Sequence, residues 1–408
     1  MTDGSAVRAT RLGPAFDLLA AYDADGGVFF ERDGLGVAAS GPADTARAAS
    51  IAELGGSVVA RLREGWDHEG PAPVALGGLP FAPGPVSLAA PARVVRRTDE
   101  GETWLIERGV RGTATPFSPQ RVVGDLPHGS FRPAQLREVP TVPGYEDAVA
   151  GALERIRAGG LEKVVLARTL EVDAGRPLDA KRLLHRLRAV EPHGYAFAVP
   201  SGSSAVLVGA SPELLVSLRG GEVCATPLAG TAPRSGDPDE DRANAEALSA
   251  SAKNREEHAV VVRAVASALA RYCEPPSWDP EPVLLETANV WHLATRFVGR
   301  VRDPSVTVLD LVAALHPTPA VCGTPTDMAR ATIAELEPFD RGRYAGPVGW
   351  IDANGEGEWA IALRCAELRG GRATLFAGAG IVAGSEPASE ADETGRKFQA
   401  FLDSLRWG

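Results

Sequence analysis

The run Phe376-Ala-Gly-Ala-Gly-Ile-Val-Ala-Gly384 is followed closely by two carboxylates, Glu390 and Glu393. Glycines let backbone N–H groups come close to a ligand. Carboxylates behind them would repel an anion unless a cation lay between, so the combination points to an anionic small molecule held through a divalent metal. Gly378, Gly380 and Gly384 also imitate a dinucleotide-binding turn. That turn must open a helix and lead to a second parallel strand bearing an acidic ribose ligand. Pro387 interrupts the helix start, and the sequence up to Gly408 leaves no room for such a strand. A plain structural turn between a strand at 373–377 and a helix is the remaining reading.

Three further side chains have the right chemistry. Glu257 shares a helical face with Val261, Ala264, Val265 and Ala268, whereas Glu256 falls toward Arg263 and solvent. A carboxylate on an apolar face needs a cationic partner or a metal. A hard cation such as Mg2+ is held by one or two carboxylates, waters and the ligand, and Glu257 with Glu393 is the expected pair; an arginine partner for Glu257 is the alternative. Lys163 opens the apolar run Val164-Val-Leu-Ala167. Burial there would favour the neutral amine and let it act as a base, unless it is a surface lysine at a strand end. Glu213, in Gly209-Ala-Ser-Pro-Glu-Leu214, would stay protonated if buried, as a general acid must; a solvated turn carboxylate is the rival.

The background makes the lysine more informative. Of 42 basic residues only four are lysines, namely Lys163, Lys181, Lys253 and Lys397. An amine can give up its proton where a guanidinium cannot. The net charge of −11 argues against a nucleic-acid surface and requires any anionic substrate to be captured by a local basic or metal site. The 44% hydrophobic content over 408 residues suffices for a large core, with no uninterrupted apolar run long enough to span a membrane. Met1–Ser5 lacks the charged and apolar regions of a secretory leader, and Cys224, Cys273, Cys322 and Cys365 are too dispersed for a zinc knuckle or a disulfide framework. A cytoplasmic protein with reduced thiols is the expectation, and, with no partner interface evident, a monomer.

Strand-like runs such as 27–30, 92–95 and 103–106 suggest an antiparallel sheet in residues 1–140, with 140–145 as a linker. Beyond it, helices are expected over 146–158, 178–190 and 239–272, the last broken near 249–251. Strands are expected over 163–170, 195–199, 204–208, 214–218, 345–351, 358–368 and 373–377. Helices and strands without strict alternation indicate an α+β fold.

Several ordered motifs resemble one family. They are Lys163-Val-Val-Leu-Ala-Arg168, Gly209-Ala-Ser-Pro-Glu213, Pro227-Leu-Ala-Gly-Thr231, Lys253-Asn-Arg-Glu-Glu-His258, Trp291-His-Leu-Ala-Thr295, His316-Pro-Thr-Pro-Ala-Val-Cys-Gly323, Glu335-Leu-Glu-Pro-Phe-Asp-Arg341, Tyr344-Ala-Gly-Pro-Val-Gly-Trp350 and the 376–397 segment. Together they resemble the chorismate-utilising enzymes, most closely the isochorismate synthases, over about 145–405. The resemblance implies one α+β domain spanning 1–408, with two large antiparallel sheets and helices packed outside, so that the linker near 140 is no domain boundary.

The implied reaction is water attack at C2 of chorismate with loss of the C4 hydroxyl, feeding siderophore or menaquinone biosynthesis. By resemblance, Lys163 is the base and Glu213 the acid. Mg2+ on Glu257 and Glu393, with Glu390 nearby through water, would hold the ring carboxylate. Arg364, Tyr344 and the N–H groups of Gly378 and Gly380 would hold the enolpyruvyl carboxylate. Ala229, Gly230, Thr231 and His316 would line the ring pocket, and Lys397 would neutralise the acidic cluster. Asn254 replaces an acidic metal-shell residue of some relatives. Ammonia-using relatives typically carry glutamine in place of Lys163, and some carry lysine in place of Ala229, so water is the implied nucleophile. Salicylate synthases, which go on to eliminate pyruvate, usually have threonine where Ala320 stands. A catalytically dead binding subunit should have lost the base, the acid or a metal carboxylate, and all are present.

Overall fold

The computed structural model describes residues 6–109 and 133–405, apart from 14 and 203. Met1–Ser5 therefore lies outside the described residues, as do 110–132. Among the described residues, 19 strands join one large curled antiparallel sheet and three more form a small second sheet. The two sheets are thus very unequal, against the expectation of two large ones. Eight α-helices accompany them, and none is long and apolar enough to cross a membrane.

The strand Lys163–Asp173 is central to the site. Its unbroken apolar run is buried on both faces, as expected for a strand covered from both sides. Arg372–Ile381 pairs along nearly its whole length, from Arg372 opposite Asp173 to Ile381 opposite Val164. Its other edge carries Gln135–Val139 and the short Gly323–Thr324. The first part of the chain joins the same sheet: Val28–Arg32 pairs with Tyr195–Pro200, and Val74–Gly78 with Pro347–Asp352.

The helical stretch after residue 238 breaks at Ser251, which ends Pro238–Ala250 and caps Ala252–Leu269 by accepting from the Asn254 N–H. Two expected elements differ. The 358–368 stretch is two strands, Gly357–Ile361 and Cys365–Arg369, parted where Arg364 takes a left-handed φ of 47°. The stretch read as a glycine-rich turn is instead a continuation of the strand, through Gly378 and Gly380 to Ile381. The last helix, Pro387–Leu405, opens on the proline, whose missing N–H costs nothing in a first turn.

Candidate active site

Twelve of the fifteen candidate residues line one pocket of about 690 Å3: Glu213, Ala229, Gly230, Thr231, Glu257, Ala320, Tyr344, Arg364, Gly378, Gly380, Glu393 and Lys397. The Lys163 strand organises it. Arg168 donates from Nε to Thr394 Oγ1 (2.7 Å) and from Nη2 to the Ala391 carbonyl (3.2 Å), which fixes the last helix and hence Glu393. From the far edge, the buried Glu337 accepts the Ala167 N–H (2.7 Å) and pairs with Arg341. Arg341 in turn donates to the carbonyls of Val165 and Val321 (2.8 and 2.7 Å). Strand, last helix and the Ala320–Val321 wall are thereby tied together.

Lys163 is fully buried beneath this pocket, with Nζ 2.9 Å from Glu257 Oε1. The two are out of line for a hydrogen bond, so the contact is mainly one of charge. Gly380 is what makes room for it: a Cβ there would collide with Glu257 Oε1 and lie 3.1 Å from Lys163 Cε. At Gly378 a Cβ would meet the Tyr344 hydroxyl at 3.0 Å. These glycines serve close approach rather than a turn. Because the N–H groups of Val165 and Ala167 point away to Cys322 O and Glu337, antiparallel alternation turns the N–H groups of their partners Gly380 and Gly378 toward the open edge.

Glu213 follows the strand Val206–Ser211 and is 2% exposed. Burial pushes its carboxyl up to about 8, against the opposing pull of the Leu228 N–H and the Lys163 charge. Tyr344 stacks on Phe376 with ring centroids 4.9 Å apart. Arg364 has no carboxylate within ion-pair distance among the described residues, which leaves its fork for an anion. Lys397 Nζ bridges Glu393 Oε1 (2.6 Å) and the Gly378 carbonyl (2.8 Å).

Two candidates are placed elsewhere. Glu390 is buried and paired with Lys253 (2.8 Å) rather than lining the pocket; burial and the neighbouring Glu393 raise its carboxyl above the usual range. The expectation that His316 lines the ring pocket is corrected: it terminates the helix Val308–Leu315 and donates from Nε2 to the Phe81 carbonyl (3.2 Å), facing a different cavity. The histidine in the pocket is His292, to which sequence reasoning gave no role. Its Nε2 accepts from Arg364 Nη2 (3.1 Å), so Nδ1 carries the proton, toward the Gly230 carbonyl (3.3 Å). Burial, then the Arg364 charge, holds it well below its usual value and hence neutral. The signal was available: His292 sits inside one of the quoted motifs, on a strand where alternation buries it.

Among the described residues no group of three or more His, Cys, Asp or Glu side chains is arranged to hold a metal. The pocket does offer Glu257 and Glu393, each tied to a lysine through Oε1. Two hard oxygen donors beside a space for an anionic ligand fit a cation that keeps several waters. Asn254 spends its Nδ2 on Ser251 Oγ (2.9 Å).

A family model described as "Chorismate binding enzyme" matches residues 126–406. The chain belongs to the chorismate-binding enzyme family. It is 47% identical to isochorismate synthase DhbC of Bacillus subtilis, over 66% of this chain and 69% of that one. It is 43% identical to the vibriobactin-specific isochorismate synthase of Vibrio cholerae, over 67% and 70%. The solved structure of MenF, the menaquinone-specific isochorismate synthase from Escherichia coli, superposes with a TM-score of 0.85 at 26% identity, covering 98% of this chain and 95% of that one.

Proposed function

We propose that this family member is an isochorismate synthase, an isomerase that turns chorismate into isochorismate for siderophore or menaquinone biosynthesis. The observation that carries the reading is the placement of a proton-holding Glu213 and an unpaired Arg364 on the walls of one pocket, with Lys163 buried beneath it.

Arg364, oriented by His292, takes a substrate carboxylate in its fork, and the free N–H groups of Gly378 and Gly380 add donors to the same anion. Lys163 must first give up its proton, and in its free-amine form Nζ then accepts one from the water that adds at C2. Glu213, protonated below about pH 8, gives a proton to the departing C4 hydroxyl, which leaves as water. One water enters and one leaves, so the product is an isomer. Mg2+ would be held by Glu257 and Glu393, where it supplies charge neutralisation for the second carboxylate of the dianion. Lys397 offsets the charge of Glu393. Ala320 brings a methyl rather than a hydroxyl to the pocket wall, which supports a reaction that stops at isochorismate rather than eliminating pyruvate.

Incubation of purified protein with chorismate, in Mg2+ and in EDTA, tests this by chromatography with mass detection. The expected product is a Mg2+-dependent isomer of unchanged mass. Salicylate with pyruvate would mean that the lyase step follows, and unconsumed chorismate would overturn the enzyme assignment.

A further inference from the structure

Lysine is scarce in this chain and unevenly placed. Three of its four lysines, Lys163, Lys253 and Lys397, each stand against one carboxylate of the acidic group, Glu257, Glu390 and Glu393. Arginine supplies the cation in nearly all other ion pairs, for example to Asp352, Glu31 and Glu337. A guanidinium fork can take both oxygens of a carboxylate, whereas an ammonium is a point charge on a flexible stem. Each of the three lysines reaches Oε1 of its partner. Lys163 and Lys397 already have roles in the pocket. Lys253 has none.

Its position is informative. Lys253 lies one helical turn before Glu257 on Ala252–Leu269, so the two share a face. The last helix carries Glu390 and Glu393 three residues apart, likewise on one face. Lys253 Nζ crosses from one helix to the other to donate to Glu390 Oε1 (2.8 Å). Its stem runs along Gly384, where an added Cβ would lie 3.9 Å from Lys253 Cγ. Glu390 is buried and close enough to Glu393 for that charge to act on it, while Lys253 is partly exposed. Yet among the described residues no three such side chains are gathered to hold a metal. A third carboxylate thus lies near the pair Glu257 and Glu393, and the contact that draws it aside is the one to Lys253.

We propose that Lys253 is a positioning residue for the metal site: it holds Glu390 out of the cation's coordination shell, so that two carboxylates rather than three face the metal and a position stays open for a substrate carboxylate. This role rests on the reading of Glu257 and Glu393 as the cation pair. A hard cation is bound more tightly as carboxylate charge is added to its shell, and a third carboxylate would repel the anion that the pocket must admit. Lys253 therefore sets metal affinity against substrate access.

The test uses Mn2+ as the probe ion on the whole chain without substrate. Calorimetry gives its affinity, and water-proton relaxation gives the number of waters the bound ion keeps. Lys253→Met keeps an unbranched stem and removes the charge. It should bind Mn2+ about tenfold more tightly, with the bound ion keeping one water fewer than in the parent. Combining it with Glu390→Gln should return both values to those of the parent. Glu390→Gln alone should leave the water count unchanged, since its carboxylate is not in the shell. In turnover, Lys253→Met should raise KM for chorismate with kcat close to the parent, as expected when ground-state binding is lost. Melting temperatures confirm that each variant is folded. An unchanged water count in Lys253→Met, even with tighter binding, would mean that charge alone acts, and would overturn the proposal. So would a lost water that persists in the double variant, or a change of water count in Glu390→Gln alone. Glu393→Gln separates this role from the reading beneath it. Weaker Mn2+ binding there beside a silent Lys253→Met sinks the role of Lys253 alone, whereas Mn2+ binding indifferent to Glu393→Gln sinks the metal site and this role with it.

Discussion

The segment from His316 to Val321 contributes to two cavities that treat charge in opposite ways. One is the pocket lined by Ala320 and Val321, in which Glu257 and Glu393 each have a lysine within 3 Å, while Arg364 is steadied by a neutral histidine. In the other, His316 and Arg330 line an apolar cleft, and Arg330 has no ion-pair partner among the described residues. The first arrangement is pre-neutralised: its carboxylates can exchange a lysine for a metal, and its one unpaired cation waits for an anion. It is assembled from residues that carry motifs. The second takes nine of its twelve lining residues from 50–86, which carry none. Paired charges around one unpaired arginine make a site that can move protons. A lone arginine in an apolar cleft makes at most a place to bind.

If that contrast is right, substitutions in the two cavities should differ by orders of magnitude in their effect on turnover. Lys163→Ala should be the most severe, with a loss of about 10⁴-fold in kcat, measured as chorismate consumption. It also strands Glu257 beside the vacated space, so the variant should melt lower in EDTA than in Mg2+. A fully active variant would remove Lys163 from the chemistry. Glu213→Gln comes next, at roughly 10²- to 10³-fold. The native carboxyl holds its proton below about 8 and loses it above, so kcat/KM of the parent should fall as pH rises through 8. The amide cannot titrate, and that alkaline limb should be missing from its residual activity. A limb unchanged in Glu213→Gln would assign it to another group.

The sequence carried more of the first cavity than of the second, for physical reasons. Glu257 was found because a helix repeats every 3.6 residues, so a carboxylate in phase with Val261 and Val265 must be buried with them, and it is. Lys163 was found because it heads an apolar run. The two glycines line the pocket, but in a strand rather than in the expected turn. Their purpose is the absence of Cβ atoms where Glu257 and Tyr344 come close, a tertiary fact that no local pattern encodes. The kink at Arg364 was hidden in the same way, since 358–368 reads as one alternating strand. The two histidines were exchanged. His292 and His316 both sit in recognisable motifs, but His316 ends a helix, where side-chain direction follows from packing rather than from period. The Glu337–Arg341 pair, which sets the distance between the Lys163 strand and the Ala320 wall, announces itself only through its backbone partners at 165, 167 and 321.

Smaller effects test the contrast from within. Glu393→Gln keeps the shape of the last helix but withdraws one anionic oxygen donor from the pocket, and it frees Lys397 from its 2.6 Å partner. The expected change is about a tenfold rise in the Mg2+ concentration for half-maximal activity, within the range seen when one group of a metal site is altered. An unchanged metal titration would take Glu393 out of the site.

The smallest expected effect is the most discriminating. Arg330→Ala alters a partly buried side chain that donates to nothing and pairs with nothing among the described residues. Stability should therefore move by no more than about 0.5 kcal/mol, read from denaturant midpoints, and turnover of chorismate should stay within twofold of the parent. A loss of turnover comparable to that of Glu213→Gln would mean that the His316–Val321 segment does not insulate the two cavities. The arginine would then belong electrostatically to the pocket, and the division between a proton-moving site and a binding cleft would fail. A near-silent variant keeps the two apart, in line with two sets of lining residues that have no member in common among the described residues.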